Sequence, residues 1–436
     1  MSIYARPVVR LTTAIRHASI GIRTYVDDSP AQNVKKESKN VASRTGADEG
    51  RAKNAGKTSK NLKRTKIPKR NPITGELGDL PSGKVEIKGH SVLRGGRLRR
   101  SFLYVPAHNE RFLEKALKSA ADCIVFDLED GVAPSEKQQA RENLKNLWER
   151  LATEGYRIGE NQKAELCLRI NHEGWLGLNQ WEDGASGKIK APSPEIDQDL
   201  DLLASRSAIK LRINVVAPKA NTPNDIRNIR ELALQKQKAV VDPSRRIRRL
   251  ELIATIETAF GVLNLPNFWT FARHFSAMVF ASEDYCASMG IPRTNDHSNM
   301  LFARSQLVHV CKATGHTPID MVCQDFKDLS ILEKECEEGV YLGFEGKQAI
   351  HPDQIETINR MFSPSPEDVE WAKSLLEAVE KNKTDGAFEF EGKMVDRPVF
   401  RKAENILAIH QLIEKFEEDK FVDLRLDSRL INSVPS

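Results

Sequence analysis

From residue 102 to residue 350 one pattern recurs eight times: a short apolar run rich in β-branched residues, then a stretch of helical spacing. The runs are Phe102–Val105, Cys123–Phe126, Leu166–Ile170, Ile213–Ala217, Leu252–Ile256, Ala277–Phe280, Ile319–Val322 and Gln348–Ile350. Strands separated by helices run parallel, because a parallel crossover needs room that a hairpin cannot give. Eight consecutive units in a length of about 250 residues point to an α/β fold closed as a (β/α)8 TIM barrel. An open doubly wound sheet is the competitor. It lacks support, since no Gly-x-Gly-x-x-Gly follows the first run and no P-loop occurs.

The chain before the first run has a different texture. Residues 1–26 carry Arg6, Arg10, Arg16 and Arg23 and no acid; the first acidic residue is Asp27. Such a start is what mitochondrial import receptors read, so residues 1–26 are expected to be a presequence directing the protein to the matrix. Residues 27–95 are polar, aperiodic and rich in Lys, Ser, Asn and Gly. They cannot bury enough apolar surface to offset their ordering entropy and are expected to form a disordered basic linker. The cluster Lys63, Arg64, Lys66, Lys69 and Arg70 could meet RNA or an anionic membrane, but a solvated linker is the preferred reading. The net charge of +5 lies largely in this arm and gives no reason to expect nucleic-acid binding by the folded part. No apolar run is long enough to cross a bilayer. The six cysteines are scattered with no Cys-x-x-Cys pair, which argues against a zinc site or a disulfide framework.

The barrel is expected over 96–362. Asn109–Ala121 reads as a covering helix with Phe112, Leu113, Ala116 and Leu117 on its apolar face. Glu173–Lys210 and Leu234–Arg249 read as insertions, the second with the basic group Arg245, Arg246, Arg248 and Arg249. Ser365-Pro366-Glu367-Asp368 reads as a helix start followed by the stripe Val369, Ala372, Leu376 and Val379. Residues 363–436 therefore form a C-terminal helical extension.

In a parallel barrel, functional groups gather where the strands end. The second run ends in Asp127-Leu128-Glu129-Asp130, the third in Arg169-Ile170-Asn171 and the fourth in Pro218-Lys219. The fifth ends in Glu257-Thr258, the sixth in Glu283-Asp284 and the eighth in His351-Pro352. Acidic and basic groups in one mouth suit a hard cation and an anionic substrate. Glu257 and Asp284 could supply two oxygen ligands to Mg²⁺, with water and substrate completing its shell. Arg169 and Lys219 would then meet carboxylate or enolate charge. The alternative is an Arg169–Glu257 ion pair without metal. His351, before a proline, reads as structural, and Cys123 and Cys167 as core.

These residues also resemble a known family. Arg100-Ser101-Phe102-Leu103-Tyr104-Val105-Pro106, Phe126-Asp127-Leu128-Glu129-Asp130-Gly131-Val132 and Lys137 with Ala140-Arg141 open the likeness. Leu168-Arg169-Ile170-Asn171, Ala217-Pro218-Lys219, Ile256-Glu257-Thr258-Ala259 and Ser282-Glu283-Asp284-Tyr285 continue it. Gly343-Phe344-Glu345-Gly346-Lys347, Ile350-His351-Pro352-Asp353-Gln354 and Gly392-Lys393-Met394-Val395-Asp396-Arg397-Pro398 complete it. Together they are similar to the citrate lyase β-subunit-like branch of the HpcH/HpaI aldolase superfamily, which includes malyl-CoA and citramalyl-CoA lyases. The resemblance implies a Mg²⁺-dependent barrel enzyme, usually trimeric, that makes or breaks a carbon–carbon bond beside a CoA thioester.

By the same resemblance, Glu257 and Asp284 hold the metal and Arg169 contacts the 2-oxoacid. Asp396 is the acid/base, reaching a neighbouring subunit's barrel. Tyr104, Arg111, Lys115, Lys137 and the Gln348, Ala349 and Ile350 backbone fall where relatives hold CoA. Arg-Ile-Asn occurs again at Arg212, but that copy runs directly into the Ala217-Pro218-Lys219 motif, so Arg169 is the match. The long segment after Arg169 departs from the compact family pattern and bears on the size of substrate admitted. Hydrolysis of the thioester after condensation, citryl-CoA cleavage and an inactive barrel acting as a scaffold are the alternatives; the presence of Glu257, Asp284, Arg169 and Asp396 weighs against the last.

Overall fold

The computed structural model describes residues 97–156, 164–172, 193–241, 250–382 and 386–417. The segments expected as presequence and linker, the Arg245–Arg249 cluster and residues after 417 lie outside that set. Eight parallel strands close a barrel in sequence order: β1 Ser101–Pro106, β2 Cys123–Asp127, β3 Glu165–Arg169, β4 Asn214–Ala217, β5 Leu252–Ile256, β6 Phe275–Phe280, β7 Thr317–Asp320 and β8 Gly346–Ala349. Closure is made by β1 on β8, with Phe102 opposite Gln348.

Around the barrel run α1 Glu110–Leu117, α2 Lys137–Thr153, α3 Pro194–Leu202, α4 Arg206–Leu211, α5 Pro223–Val240 and α6 Ala259–Asn264. They are followed by α7 Ser282–Met289, α8 Leu301–Thr314, α9 Leu329–Leu342 and α10 Ile355–Met361.

Strand side chains alternate between two cores. Phe102, Cys123, Val125, Cys167, Val216, Ile253, Ala277, Val279 and Ile319 meet inside the barrel. Leu103, Ile124, Phe126, Leu166, Leu168 and their neighbours face outward onto Leu113, Leu144 and Trp148 of the helices. Each such large side chain taken fully out of water contributes about 1.5–3 kcal/mol, which is why strands of four to six residues suffice.

At the amino ends of the strands a charged plug seals the interior. Glu165 accepts from Arg99 Nε at 2.7 Å, Arg97 Nη1 at 2.7 Å and Asn214 Nδ2 at 2.5 Å. Burial would raise the Glu165 carboxyl, but Arg99 and Arg97 overcome it and hold it well below the usual carboxylate range.

Several boundaries differ from the sequence reading, each for a physical reason. Strand β7 begins earlier than expected because it contains Pro318, and its last residue, Asp320, is buried against Arg304 Nη2 at 2.8 Å. Strand β8 begins earlier because Lys347, fully buried, lies 3.0 Å from Glu335 and 3.9 Å from Asp320. Helix α1 is shorter than expected; Asn109 is its N-cap, and Phe112 is 50% exposed rather than part of the buried face. Leu234–Val240 is not an insertion but the second half of α5, which opens on a Thr222–Asp225 capping box. Of the other expected insertion, residues 173–192 lie outside the described set, and the rest forms α3 and most of α4.

The extension begins as expected, Ser365 Oγ accepting from the Asp368 amide at 3.0 Å at the start of α11, Pro366–Asn382. A hairpin of β9 Phe388–Phe390 and β10 Lys393–Val395 turns through Glu391 and Gly392, with φ of 50° and 75°. Two successive left-handed residues give the twist that a tight hairpin needs. Helix α12, Arg397–Glu417, packs on α11 over Ala372, Leu375, Val395, Phe400 and Ala403.

Gly346 is the tightest point of closure, since a Cβ there would sit 1.9 Å from the Arg99 carbonyl oxygen and 2.8 Å from that of Arg100. Both obstacles are backbone and cannot rotate away. Gly346→Ala is expected to destabilise the fold by about 3 kcal/mol, read as a lowered urea midpoint; an unchanged midpoint would mean that the closure is not this close.

Candidate active site at the carboxyl end of the barrel

The exit of β2 supplies two carboxylates with different duties. Asp127 accepts from Arg169 Nε at 2.7 Å and Nη2 at 2.6 Å, and from the amides of Glu129 at 2.8 Å and Gly131 at 2.9 Å. A Cβ at residue 131 would fall 2.4 Å from Asp127 Oδ2, so only glycine permits this wrap. The Arg169 guanidinium also lies 4.8 Å from the Tyr104 ring centroid, a cation–π contact. Arg169 thus pairs with Asp127 and, through Nη1 at 3.1 Å, with Glu129. The Arg169–Glu257 pair considered as an alternative is not how this guanidinium is used.

Glu129 is buried, with Oε1 2.7 Å from Lys219 Nζ. Its Oε2 is in ionic contact with Arg169 but at an angle that forms no hydrogen bond. Lys219, after β4, has φ of 51°, a left-handed conformation uncommon outside glycine. That backbone aims the Lys219 amide at Glu257 Oε1, 3.0 Å away. Lys219 therefore braces two carboxylates with one residue.

Glu257 leaves β5 into the same space and is 2% exposed. With Oε1 held by the Lys219 amide, its Oε2 is buried and lacks a hydrogen-bond partner among the described residues. Burial, then Glu129 and Asp284, push the Glu257 carboxyl up to about 8. Burial raises Glu129 to about 7 against the pull of Arg169 and Lys219. Asp284 is raised by burial and by Asp130. It sits in the first turn of α7 rather than on the strand itself.

Carboxylates that resist ionisation because they crowd one another are relieved by a cation, so the donor set fits a divalent metal. Among the described residues no three His, Cys, Asp or Glu side chains form a ready cage. An ion held by Glu257 and Asp284 would complete its shell with water and ligand oxygens, the usual habit of Mg²⁺.

The other expected residues divide. Arg111 and Lys115 are exposed on α1. The Lys137 amine contacts Asn171 Oδ1. Gln348 is buried, its Nε2 donating to the carbonyls of Phe280 at 2.8 Å and Asp320 at 3.1 Å. Ala349 is buried, while Ile350 is 47% exposed with its amide bound to Gln354 Oε1 at 2.9 Å. His351 accepts from the Asp353 amide at 3.2 Å and stacks on Phe326, a structural role. Asp396 is exposed at the start of α12, its carbonyl accepting from the amides of Val399 and Phe400 at 3.0 Å. None of its described contacts joins it to the mouth of its own barrel.

Sequence reasoning left Asp127, which aims Arg169, and Glu129, which meets Lys219, without a role. Their signal was present: the two carboxylates are two apart at a strand exit, so both can project into one space.

Comparison with known proteins gives a consistent result. The profile of the HpcH/HpaI aldolase/citrate lyase family matches residues 100–180 and 190–352. The mitochondrial citramalyl-CoA lyase of Homo sapiens is 32% identical over 331 residues, covering 73% of this chain and 87% of that protein. The (3S)-malyl-CoA thioesterase of Cereibacter sphaeroides is 32% identical over 320 residues, covering 73% and 96%. The crystal structure of CitE from Mycobacterium tuberculosis with magnesium, acetoacetate and coenzyme A is 28% identical, with a TM-score of 0.52 over 70% of this chain and 96% of that one.

The raised carboxyls make metal-free stability depend on pH with a definite sign. Unfolded, Glu257 releases its proton near 4.5; folded, it keeps it to about 8, so folding takes up a proton between these values and stability falls as pH rises through them. Calorimetry in EDTA is expected to show Glu257→Gln gaining on the native protein in Tm from pH 5 to pH 8. A constant difference would remove the proposed crowding.

Proposed function

The chain belongs to the HpcH/HpaI aldolase/citrate lyase family, and within it we propose a Mg²⁺-dependent CoA-ester lyase that cleaves or forms a 3-hydroxyacyl-CoA such as citramalyl-CoA or malyl-CoA. The products of cleavage are acetyl-CoA and pyruvate or glyoxylate. The observation that carries this reading is the buried, unbonded Oε2 of Glu257, crowded by Asp284 and Glu129 and offset by Arg169 and Lys219. Mg²⁺ held by Glu257 and Asp284 would supply Lewis acidity to the oxygens of the 2-oxoacid portion.

Arg169, rigidly aimed by Asp127 and seated on Tyr104, presents its charge to the carboxylate of the substrate and to the enolate of acetyl-CoA as the carbon–carbon bond breaks. Lys219 neutralises Glu129 and keeps Glu257 oriented by its amide. Asp396 donates a proton to the enolate carbon, or in the reverse direction removes one from the acetyl methyl. Arg111, Lys115, Lys137 and the Gln348–Ile350 segment hold the CoA portion at the rim.

Asp396 does this from a neighbouring subunit, in a homo-oligomer that we read as a trimer. Its exposure at the end of the β9–β10 hairpin supports that arrangement. The Arg-bearing start of the chain and the mitochondrial relative support location in mitochondria, in our reading the matrix. Hydrolysis of the thioester after condensation is the second reading, favoured by the likeness to a malyl-CoA thioesterase.

Incubation with Mg²⁺ and citramalyl-, malyl- or citryl-CoA is expected to release acetyl-CoA, and EDTA to abolish the release. Glu257→Ala and Asp396→Ala should each lower turnover by roughly 10²–10⁴-fold. Metal-independent cleavage would overturn the assignment. Mixed oligomers of the two inactive variants should regain activity, since some sites would receive both residues; mixtures that stay inactive would place Asp396 on its own barrel.

A further inference from the structure

Asp199 is fully buried on α3, in the segment that the sequence marks as departing from the compact family pattern. Its contacts lead back to the mouth. Oδ1 accepts from Arg141 Nε of α2 at 2.7 Å. Oδ2 accepts twice from Asn171, from the amide at 2.6 Å and from the side-chain Nδ2 at 2.8 Å. Asn171 is two residues past Arg169, and its Oδ1 meets the Lys137 amine at the start of α2.

We propose that Asp199 is a positioning residue for the thioester site: it dictates which way the Asn171 carboxamide faces, and thereby holds Lys137 and the strand exit behind Arg169 in their binding geometry. A carboxylate only accepts hydrogen bonds, whereas a carboxamide has one accepting and one donating end. With Nδ2 drawn to Asp199, Asn171 must turn Oδ1 the other way, and an ammonium group, which only donates, finds an acceptor there. Reversed, the carboxamide would offer Lys137 a donor and repel it. Arg141 fixes the opposite side of Asp199, so the carboxylate cannot rotate to release Asn171. The second bond to Oδ2, from the Asn171 backbone, ties the same anchor to the chain leaving β3.

The inference rests on the reading of the mouth as a CoA-thioester site. Its test is acetyl-CoA binding by titration calorimetry with the full-length protein, alongside steady-state cleavage of citramalyl- and malyl-CoA and thermal denaturation. Asp199→Asn, which keeps size but offers Asn171 either an acceptor or a donor, should weaken acetyl-CoA binding and raise KM about tenfold or more, the scale of one hydrogen bond to a charged group. Turnover at saturation should change much less, because Asp199 touches no reacting atom. Asn171→Ala should show the same split, and Asp199→Asn added to Asn171→Ala should cost clearly less than the sum of the two single losses, since the part of its effect that passes through that side chain is already gone.

A lowered Tm in Asp199→Asn with unchanged acetyl-CoA affinity and KM would overturn the proposal and leave Asp199 a packing residue. Additive losses in the double variant would overturn it as well. If Asp199→Asn fails to fold, Asn171→Ala and Asn171→Asp carry the test, and native affinity in both refutes it. A native protein that binds no acetyl-CoA would sink the thioester reading itself, and this inference with it.

Discussion

Like charges forced together in a dry space are the constraint on which the mouth of this barrel depends. Burial raises all three of Glu257, Glu129 and Asp284; Glu129 and Asp284 then push Glu257 further up, and Asp130 does the same to both of them. Two cations offset the strain only in part. Arg169 is committed to Asp127 as well as Glu129, and Lys219 gives its amine to Glu129, so Glu257 receives a single backbone amide. The geometry leaves one carboxylate oxygen for a ligand to claim.

The opposite end of the barrel shows what the same chemistry looks like when it serves stability. There Glu165 is surrounded by Arg99, Arg97 and Asn214 and is held firmly ionised. Among the described residues there, Arg97 and Arg99 both pair with Glu165, at 2.7 Å each. A fold with its stability concentrated at one end can tolerate an unsatisfied group at the other.

The alternation of apolar runs was enough to find all eight strands, because buried parallel strands read as continuous hydrophobic stretches. It placed β7 and β8 poorly, where Asp320 and Lys347 occupy buried positions by pairing with Arg304 and Glu335. A lone charge in a sequence says nothing of the partner that will neutralise it. Glu257, Asp284, Arg169 and Lys219 were legible as strand exits, although Asp284 belongs to the first turn of a helix. Asp199 was not legible at all. Its meaning comes from Arg141 and Asn171, 58 and 28 residues away, and only the folded chain brings them together.

The six cysteines take on a different significance beside a thioester. All are buried, and burial raises the thiols of Cys123, Cys286, Cys311, Cys323 and Cys336, so these sulfurs stay protonated and poorly nucleophilic. A protein that holds activated acyl groups risks self-acylation by exchange onto its own sulfur. This barrel packs its thiols as hydrocarbon, which leaves the acyl group no exposed thiol to move onto and favours departure of the product still attached to its carrier.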